Sequence, residues 1–294
     1  MTMPSTQPPA ETSDPRAFAF VQQLASELSR GKVDLPSFPD IALRVRKVLS
    51  DENVTQEMVV RVVGSEPALA ARLMQIGNSA ALNVTGKPVT ELRTAIARMG
   101  FNMVRSAAIA FAMAQLKKVD ALKGLEKPLD ELWQRSATVA AMSYAVARRF
   151  SKVNADTALL AGLLHGIGQL YILTRAGQHP GLFDNQAVYN SIVRDWHSAI
   201  AKALLENWDM TEEVVEAVSN YEDLERVHSG PVDLTDVLTV GYLLASFKSH
   251  PESIELNMHD VVACNRMKID RAAYEQLIKE SEQEIDTLRQ ALGS

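Results

Sequence analysis

The stretch Ala161-Gly162-Leu163-Leu164-His165-Gly166-Ile167-Gly168-Gln169-Leu170 decides how the chain reads. Ala155 to His165 is almost wholly apolar, and a helix apolar on every side must be buried on every side. This segment therefore predicts a central core helix, with Gly166 and Gly168 loosening its end. Helix-period patterns flank it. Upstream, Phe18, Val21, Leu24, Ala25 and Leu28 recur at helical spacing up to Gly31. Asp40 opens a helix with Ile41, Val45 and Val48 on one face, and Glu57 to Val63 forms a short one. Pro67 suits the first turn of a helix carrying Leu69, Leu73 and Ile76. Thr90 is placed to cap a helix that Gly100 ends, and Asn102 to Lys118 forms the next. Lys123 to Pro128 reads as a hinge before a long Ala-rich helix, Leu132 to Phe150. Downstream come Ala187 to Asn207, Glu212 to Tyr221 capped by Thr211, Leu234 to Ser249, and Arg271 to Leu292. No segment alternates as a strand would and no fixed-period repeat appears, so the fold class predicted is all-α.

The chain has 294 residues, 47% of them apolar and 22% charged, which excludes bulk disorder and fibrous classes. Met1 to Asp14, rich in Pro, Ser and Thr, reads as a disordered tail. Apolar runs such as Ala107 to Ala114 fall short of the roughly 18 residues a membrane span needs. Met1 to Ala10 lacks the pattern of a signal peptide, and a lone Cys264 makes no internal disulfide. A reducing cytoplasm is the expected location. Net charge is −6, but residues 1–150 carry 19 Lys+Arg against 14 Asp+Glu, and the remainder 11 against 22. That asymmetry either helps the halves dock or gives a partner two faces of opposite sign.

Common catalytic signatures are missing. There is no phosphate-binding loop, no His-Glu-x-x-His, no paired cysteine and no Gly-x-Ser-x-Gly. Gly166-Ile167-Gly168 follows a helix and lacks a third glycine, so it is no dinucleotide fingerprint. Thr90 to Ala107, jointed at Gly100 and carrying Arg105, has the outline of a helix-turn-helix. An Ala-rich second helix and a negative net charge argue against DNA as a partner.

The Gly162-to-Gly168 segment resembles the Gly-Leu-Leu-His-Asp-Ile-Gly segment of the HD superfamily of metal-dependent phosphohydrolases. From about Leu35 to Ala245 the chain more specifically resembles the HDOD family of bacterial signalling proteins. Leu35-Pro36-x-x-Pro39, Glu66-Pro67-Ala68-Leu69 leading to Asn78-Ser79, and Ala95-Ile96-Ala97-Arg98-Met99-Gly100 carry that likeness in order. Trp133-Gln134-Arg135-Ser136 and His197-Ser198-Ala199 followed by Glu206-Asn207-Trp208 are later landmarks. The resemblance implies an N-terminal helical subdomain (15–128) packed on an HD-like helical subdomain (129–294), after the 1–14 tail.

An HD phosphohydrolase holds divalent metals with histidines and carboxylates from several helices, and the metal activates water and polarises the phosphoryl group. Matched residue by residue, His165 keeps the histidine of the pair, and Gly166 stands where its aspartate belongs. Arg135, a permanent cation, occupies the place of the first histidine. Tyr242 stands at the later acidic position, and Asn220-Tyr221 where paired histidines occur. His197 is retained. Two histidines without a carboxylate make a poor metal site. The expectation is a vestigial pocket with no catalytic residue, no metal and no cofactor.

The resemblance then implies a non-enzymatic interaction scaffold whose partners are other signalling proteins, such as cyclic-di-GMP enzymes or response regulators. Association of copies stays open, and no membrane or DNA contact is expected. A nucleotide or phosphate held by the vestigial pocket is the alternative, followed by residual phosphohydrolase activity. His165 reads most simply as a buried, hydrogen-bonded histidine, and His197 likewise. His179, His228, His250 and His259 lie near loops and read as solvated. The methionines (Met99, Met103, Met113 and Met142 among them) read as core filler, and Trp133, Trp196 and Trp208 as core anchors. The acidic final helix presents Tyr274, Leu277, Ile278, Ile285 and Leu288, which need burial against this chain or a partner.

Overall fold

A computed structural model describes residues 15–31, 33, 35, 39–79, 82–83, 86–116, 122–247 and 261–292. The tail 1–14, His250 and His259 lie outside them. Thirteen α-helices and no strands occur among the described residues. They are α1 (Pro15–Ser29), α2 (Asp40–Leu49), α3 (Gln56–Gly64), α4 (Pro67–Gly77), α5 (Leu92–Leu116), α6 (Glu126–Phe150) and α7 (Ala155–Leu164). Then follow α8 (Ile167–Ala176), α9 (Gln186–Asn207), α10 (Glu212–Asn220), α11 (Leu234–Phe247), α12 (Val262–Met267) and α13 (Arg271–Leu292).

Local chemistry accounts for most boundaries. Thr55 caps α3 by accepting from the Met58 amide at 3.3 Å, and Asn154 caps α7 through the Thr157 amide at 2.9 Å. Pro67 opens α4, where a missing N–H costs nothing. Thr211 stands at the start of α10 but makes no side-chain cap bond. Gly100 (φ 73°, ψ 165°) breaks α5 into two helices, a backbone conformation that disfavours a side chain.

Two expectations need correction. The expected hinge at Lys123 to Pro128 is partly helix, because α6 begins at Glu126. Pro128 sits in its first turn, where no intrahelical amide is required, so a proline there does not signal a loop. The loosened end after His165 is also a helix: the chain restarts at Ile167 as α8. Together Ala155–Ala176 are long and apolar enough to cross a membrane, yet 89% of the apolar window is buried inside the protein.

Helix α6 is the hub. It packs against α7, α11 and α13, while α7 also touches α5, α10 and α11. Glycines allow these approaches. A Cβ on Gly162 would lie 2.4 Å from Ala140 Cα, and one on Gly241 would lie 2.9 Å from Ser143 Cα. Helices α2 to α5 pack among themselves, and α5 joins them to α7. Helix α1 packs on α9, where Asn207 donates to the carbonyls of Gly31 and Val33.

The HDOD-like landmarks of the first half have structural roles. Asn78 brackets Val89, donating to its carbonyl at 2.9 Å and accepting from its amide at 2.7 Å. Arg98 donates to the Gly77 carbonyl at 3.1 Å. Arg105 donates to the Leu49 carbonyl at 3.0 Å, so the cation of the helix-turn-helix outline is held inside the fold. The final helix finds its burial within the chain: Tyr274, Leu277 and Ile285 are buried, Ile278 is half-buried, and α13 lies against α6, α4 and α5. The side chain of Leu288 is outside the described residues.

Candidate functional site

Five helices bring the site together. Helix α6 supplies Arg135 and Ser136, the end of α7 supplies His165, and α9 supplies His197. The end of α10 gives Tyr221 and Glu222, and α11 gives Tyr242. His165 and His197 are 1% and 3% exposed, beneath a rim formed by Arg135, Glu222 and Tyr242.

His165 Nδ1 lies 2.7 Å from the Gly162 carbonyl, which accepts, so Nδ1 carries the proton and Nε2 a lone pair. Burial pushes the imidazolium pKa down to about 4, reinforced by Arg135 and opposed by the Gly162 carbonyl. His197 Nε2 donates to Glu222 Oε2 at 3.0 Å, and the Tyr221 hydroxyl donates to Glu222 Oε1 at 3.1 Å. The His197 hydrogen bond holds the Glu222 carboxyl below its usual range, against the opposing effect of burial. Burial and the Glu222 charge push the Tyr221 phenol far upward, so it stays a neutral donor.

Aromatic rings fill the centre. Tyr221 meets His165 edge-to-face at 5.5 Å between centroids and Tyr242 at 4.9 Å, and His165 also meets Tyr242 at 5.8 Å. Arg135 donates to the Tyr242 hydroxyl, and its guanidinium carbon stands 4.9 Å from the centre of that ring. Gly166 is buried, and a Cβ there would meet Leu132 Cδ1 at 3.1 Å and Ser136 Oγ at 3.2 Å. Gly168 sets the α8–α9 approach: a Cβ would fall 1.9 Å from the His197 carbonyl oxygen.

The structure thus brings His165, Gly166, Arg135, His197, Tyr221 and Tyr242 into one neighbourhood. Asn220 stands apart from that network, its amide turned back to the Glu216 carbonyl at 3.0 Å. Sequence reasoning missed Glu222, the carboxylate of the site, whose one signal was its position directly after Tyr221. Two other expectations change. His179 is half-buried, bonded to Gln23 and edge-on to Phe20. His228 has a side chain only 17% exposed, with Nε2 2.9 Å from Asp236 Oδ2.

These donors do not fit a divalent metal. His165 Nε2 and His197 Nδ1 are buried without a hydrogen-bond partner, so two nitrogen donors survive. Each Glu222 oxygen already accepts a hydrogen bond, Gly166 offers no ligand atom on its side chain, and Arg135 adds a fixed positive charge. Among the described residues, His228, Asp233 and Asp236 are the one group with ligand atoms all within 4.8 Å of each other. Arg226 already bonds Asp233 at 2.8 Å, and Arg266 bonds Asp236 at 3.2 Å. That cluster is a charge-balanced lock on the loop after Tyr221.

Fold and site together define an all-helical protein of the HD superfamily whose two buried histidines stand among an arginine, a glutamate and two tyrosines. The HDOD domain matches residues 35–224, and the chain belongs to the HDOD family. It is similar to the crystal structure of a proposed metal-dependent phosphohydrolase from Shewanella amazonensis, at 25% identity, covering 94% of this chain and 99% of that one, TM-score 0.68. An HDOD domain protein of unknown function from Geobacter sulfurreducens shares 21% identity over 92% of this chain and 96% of its own, TM-score 0.63. A proposed signal transduction protein from Marinobacter aquaeolei shares 21% over 95% of this chain and 67% of its own, TM-score 0.60. No curated protein matches the chain.

Proposed function

We propose that this chain is a non-enzymatic regulatory scaffold built on a degenerate HD fold. One observation carries the reading: the Arg135 guanidinium is bonded to the Tyr242 hydroxyl and stacked on its ring, at positions where the family resemblance implies metal ligands. Phosphoryl transfer draws most of its rate from electrostatic stabilisation by metals and preorganised donors. A cation and two phenols put nothing in the metals' place that activates water at neutral pH. The neutral Tyr221 and the paired His197–Glu222 serve packing and hydrogen bonding.

In this reading the protein relays state through contacts with other signalling proteins, in the cytoplasm, where the buried Cys264 thiol stays reduced. HDOD membership supports the signalling role and the filled site supports the absence of turnover. The test is hydrolysis of phosphodiesters and phosphomonoesters by the full chain, with Mg²⁺, Mn²⁺ or Ni²⁺ added. The expected rate equals that of His165→Ala and of protein-free buffer. Metal-dependent turnover that His165→Ala abolishes overturns the reading.

A further inference from the structure

Arg135 also lines an open cavity of about 510 Å³ whose wall includes neither His165 nor His197, bounded by α6, α8, α9 and the turn Pro180–Asp184. The volume is in the range of small-molecule sites, roughly 300–1,000 Å³. Its wall carries three kinds of chemistry. Charge comes from Lys127 and Arg135, two turns apart on α6. Lys127 is 3.7 Å from Glu131 and so is offset, whereas Arg135 forms no ion pair among the described residues. Aromatic surface comes from Phe183 and Tyr189, whose rings lie 5.1 Å apart and are tilted 54° to each other. Hydrogen-bonding capacity comes from Gln169, half-buried with its amide bonded to nothing described, and from the Tyr189 hydroxyl, likewise unbonded. Burial pushes the Tyr189 phenol up to about 12, so it remains a donor.

We infer that this cavity, which shares Arg135 with the HD-derived site but is lined by neither of its histidines, is a binding site for a nucleoside monophosphate. Arg135 pairs with the phosphate, for which a guanidinium fork is well matched. The base lies against Phe183 and Tyr189, as bases do on aromatic side chains. The Gln169 amide both donates and accepts, which suits a base edge. One uncompensated cation matches one phosphate, and the mixed wall distinguishes a nucleotide from a bare anion. Occupancy reaches Tyr242 through the Arg135 hydrogen bond, which gives the scaffold a small-molecule input. The inference goes beyond the scaffold reading and does not depend on it.

The experiment is isothermal titration of the full chain with AMP, GMP, CMP and UMP, each against inorganic phosphate. Saturable binding of at least one nucleotide, at least about tenfold tighter than phosphate, is expected. Arg135→Ala and Gln169→Leu each weaken it about tenfold or more, with melting curves confirming that both variants fold. His165→Asn leaves the affinity within about twofold. Three results overturn the inference: no binding of any nucleotide at about 1 mM, phosphate binding as tightly as the nucleotides, or loss in His165→Asn with retention in Gln169→Leu. The last places the nucleotide in the HD-derived site. None of the three bears on the hydrolysis test above.

Discussion

His165 Nδ1 and the Gly162 carbonyl, 2.7 Å apart within one helical turn, fix the tautomer of the most buried histidine in the candidate site. The proton is held by the helix, and Nε2 faces aromatic rings without a partner. The consequence is a pH dependence of a definite sign. The folded pKa is depressed to about 4 from an ordinary 6.5. Between these values the unfolded chain binds a proton that the folded chain refuses. The contribution of His165 is therefore fully present above about pH 6.5 and is lost as pH falls toward 4, by about 3 kcal/mol at most. Urea unfolding at pH 7 and pH 4.5 measures it. His165→Asn, which retains a donor for Gly162, loses about 2 kcal/mol less than wild type between the two. Identical losses in both proteins assign the dependence elsewhere.

Gly168 is expected to tolerate no side chain. A Cβ there falls 1.9 Å from the His197 carbonyl oxygen and 3.1 Å from the Ala201 amide nitrogen, so α8 and α9 must separate. Gly168→Ala costs about 3 kcal/mol and lowers Tm by several degrees. Gly166→Ala meets only the end of Leu132 and the Ser136 hydroxyl, and costs distinctly less. Equal losses at the two positions contradict the close α8–α9 approach.

The lock around Asp236 is expected to be structural. Asp236 is 2% exposed and accepts from the Asp233 amide, His228 and Arg266. Asp236→Ala leaves His228, Arg266 and the Asp233 amide without their shared carboxylate, while Arg226 keeps Asp233, and costs about 3 kcal/mol. Glu275→Ala, in an exposed pair with Arg271, changes stability by less than about 0.5 kcal/mol. A chelator leaves the melting temperature of the wild-type chain unchanged, because arginines rather than a metal hold the carboxylates. A fall in Tm on chelation contradicts this.

Most helices were legible because they bury one stripe, and α7 because it is almost wholly apolar. Ile41 and Val45 of α2, or Leu69, Leu73 and Ile76 of α4, show that stripe directly in the sequence. The beginnings of α6 and α8 were not, because Pro128 and Gly166 read as breakers although both occupy helix-start positions that tolerate them. The tight contacts of Gly162 with Ala140 and Gly168 with His197 were hidden too, since a glycine does not name the backbone it admits. Within the site, His165, Arg135, His197, Tyr221 and Tyr242 could be placed together by the family pattern. Glu222 could not be told from Asp223 and Glu225, which follow it in the same acidic loop. Only the fold shows that Glu222 reaches His197.

Metal content bears most directly on whether the HD-derived site has been emptied of its chemistry. Full-length protein, purified without chelator or affinity tag, is measured by elemental mass spectrometry against protein concentration. Two histidine nitrogens beside the fixed charge of Arg135, with each Glu222 oxygen already hydrogen-bonded, predict well below one transition metal per chain, with no difference between wild type and His165→Ala. One or two metals per chain that disappear in His165→Ala would contradict it, and would mean that His165 and His197 recruit carboxylates around a bound ion.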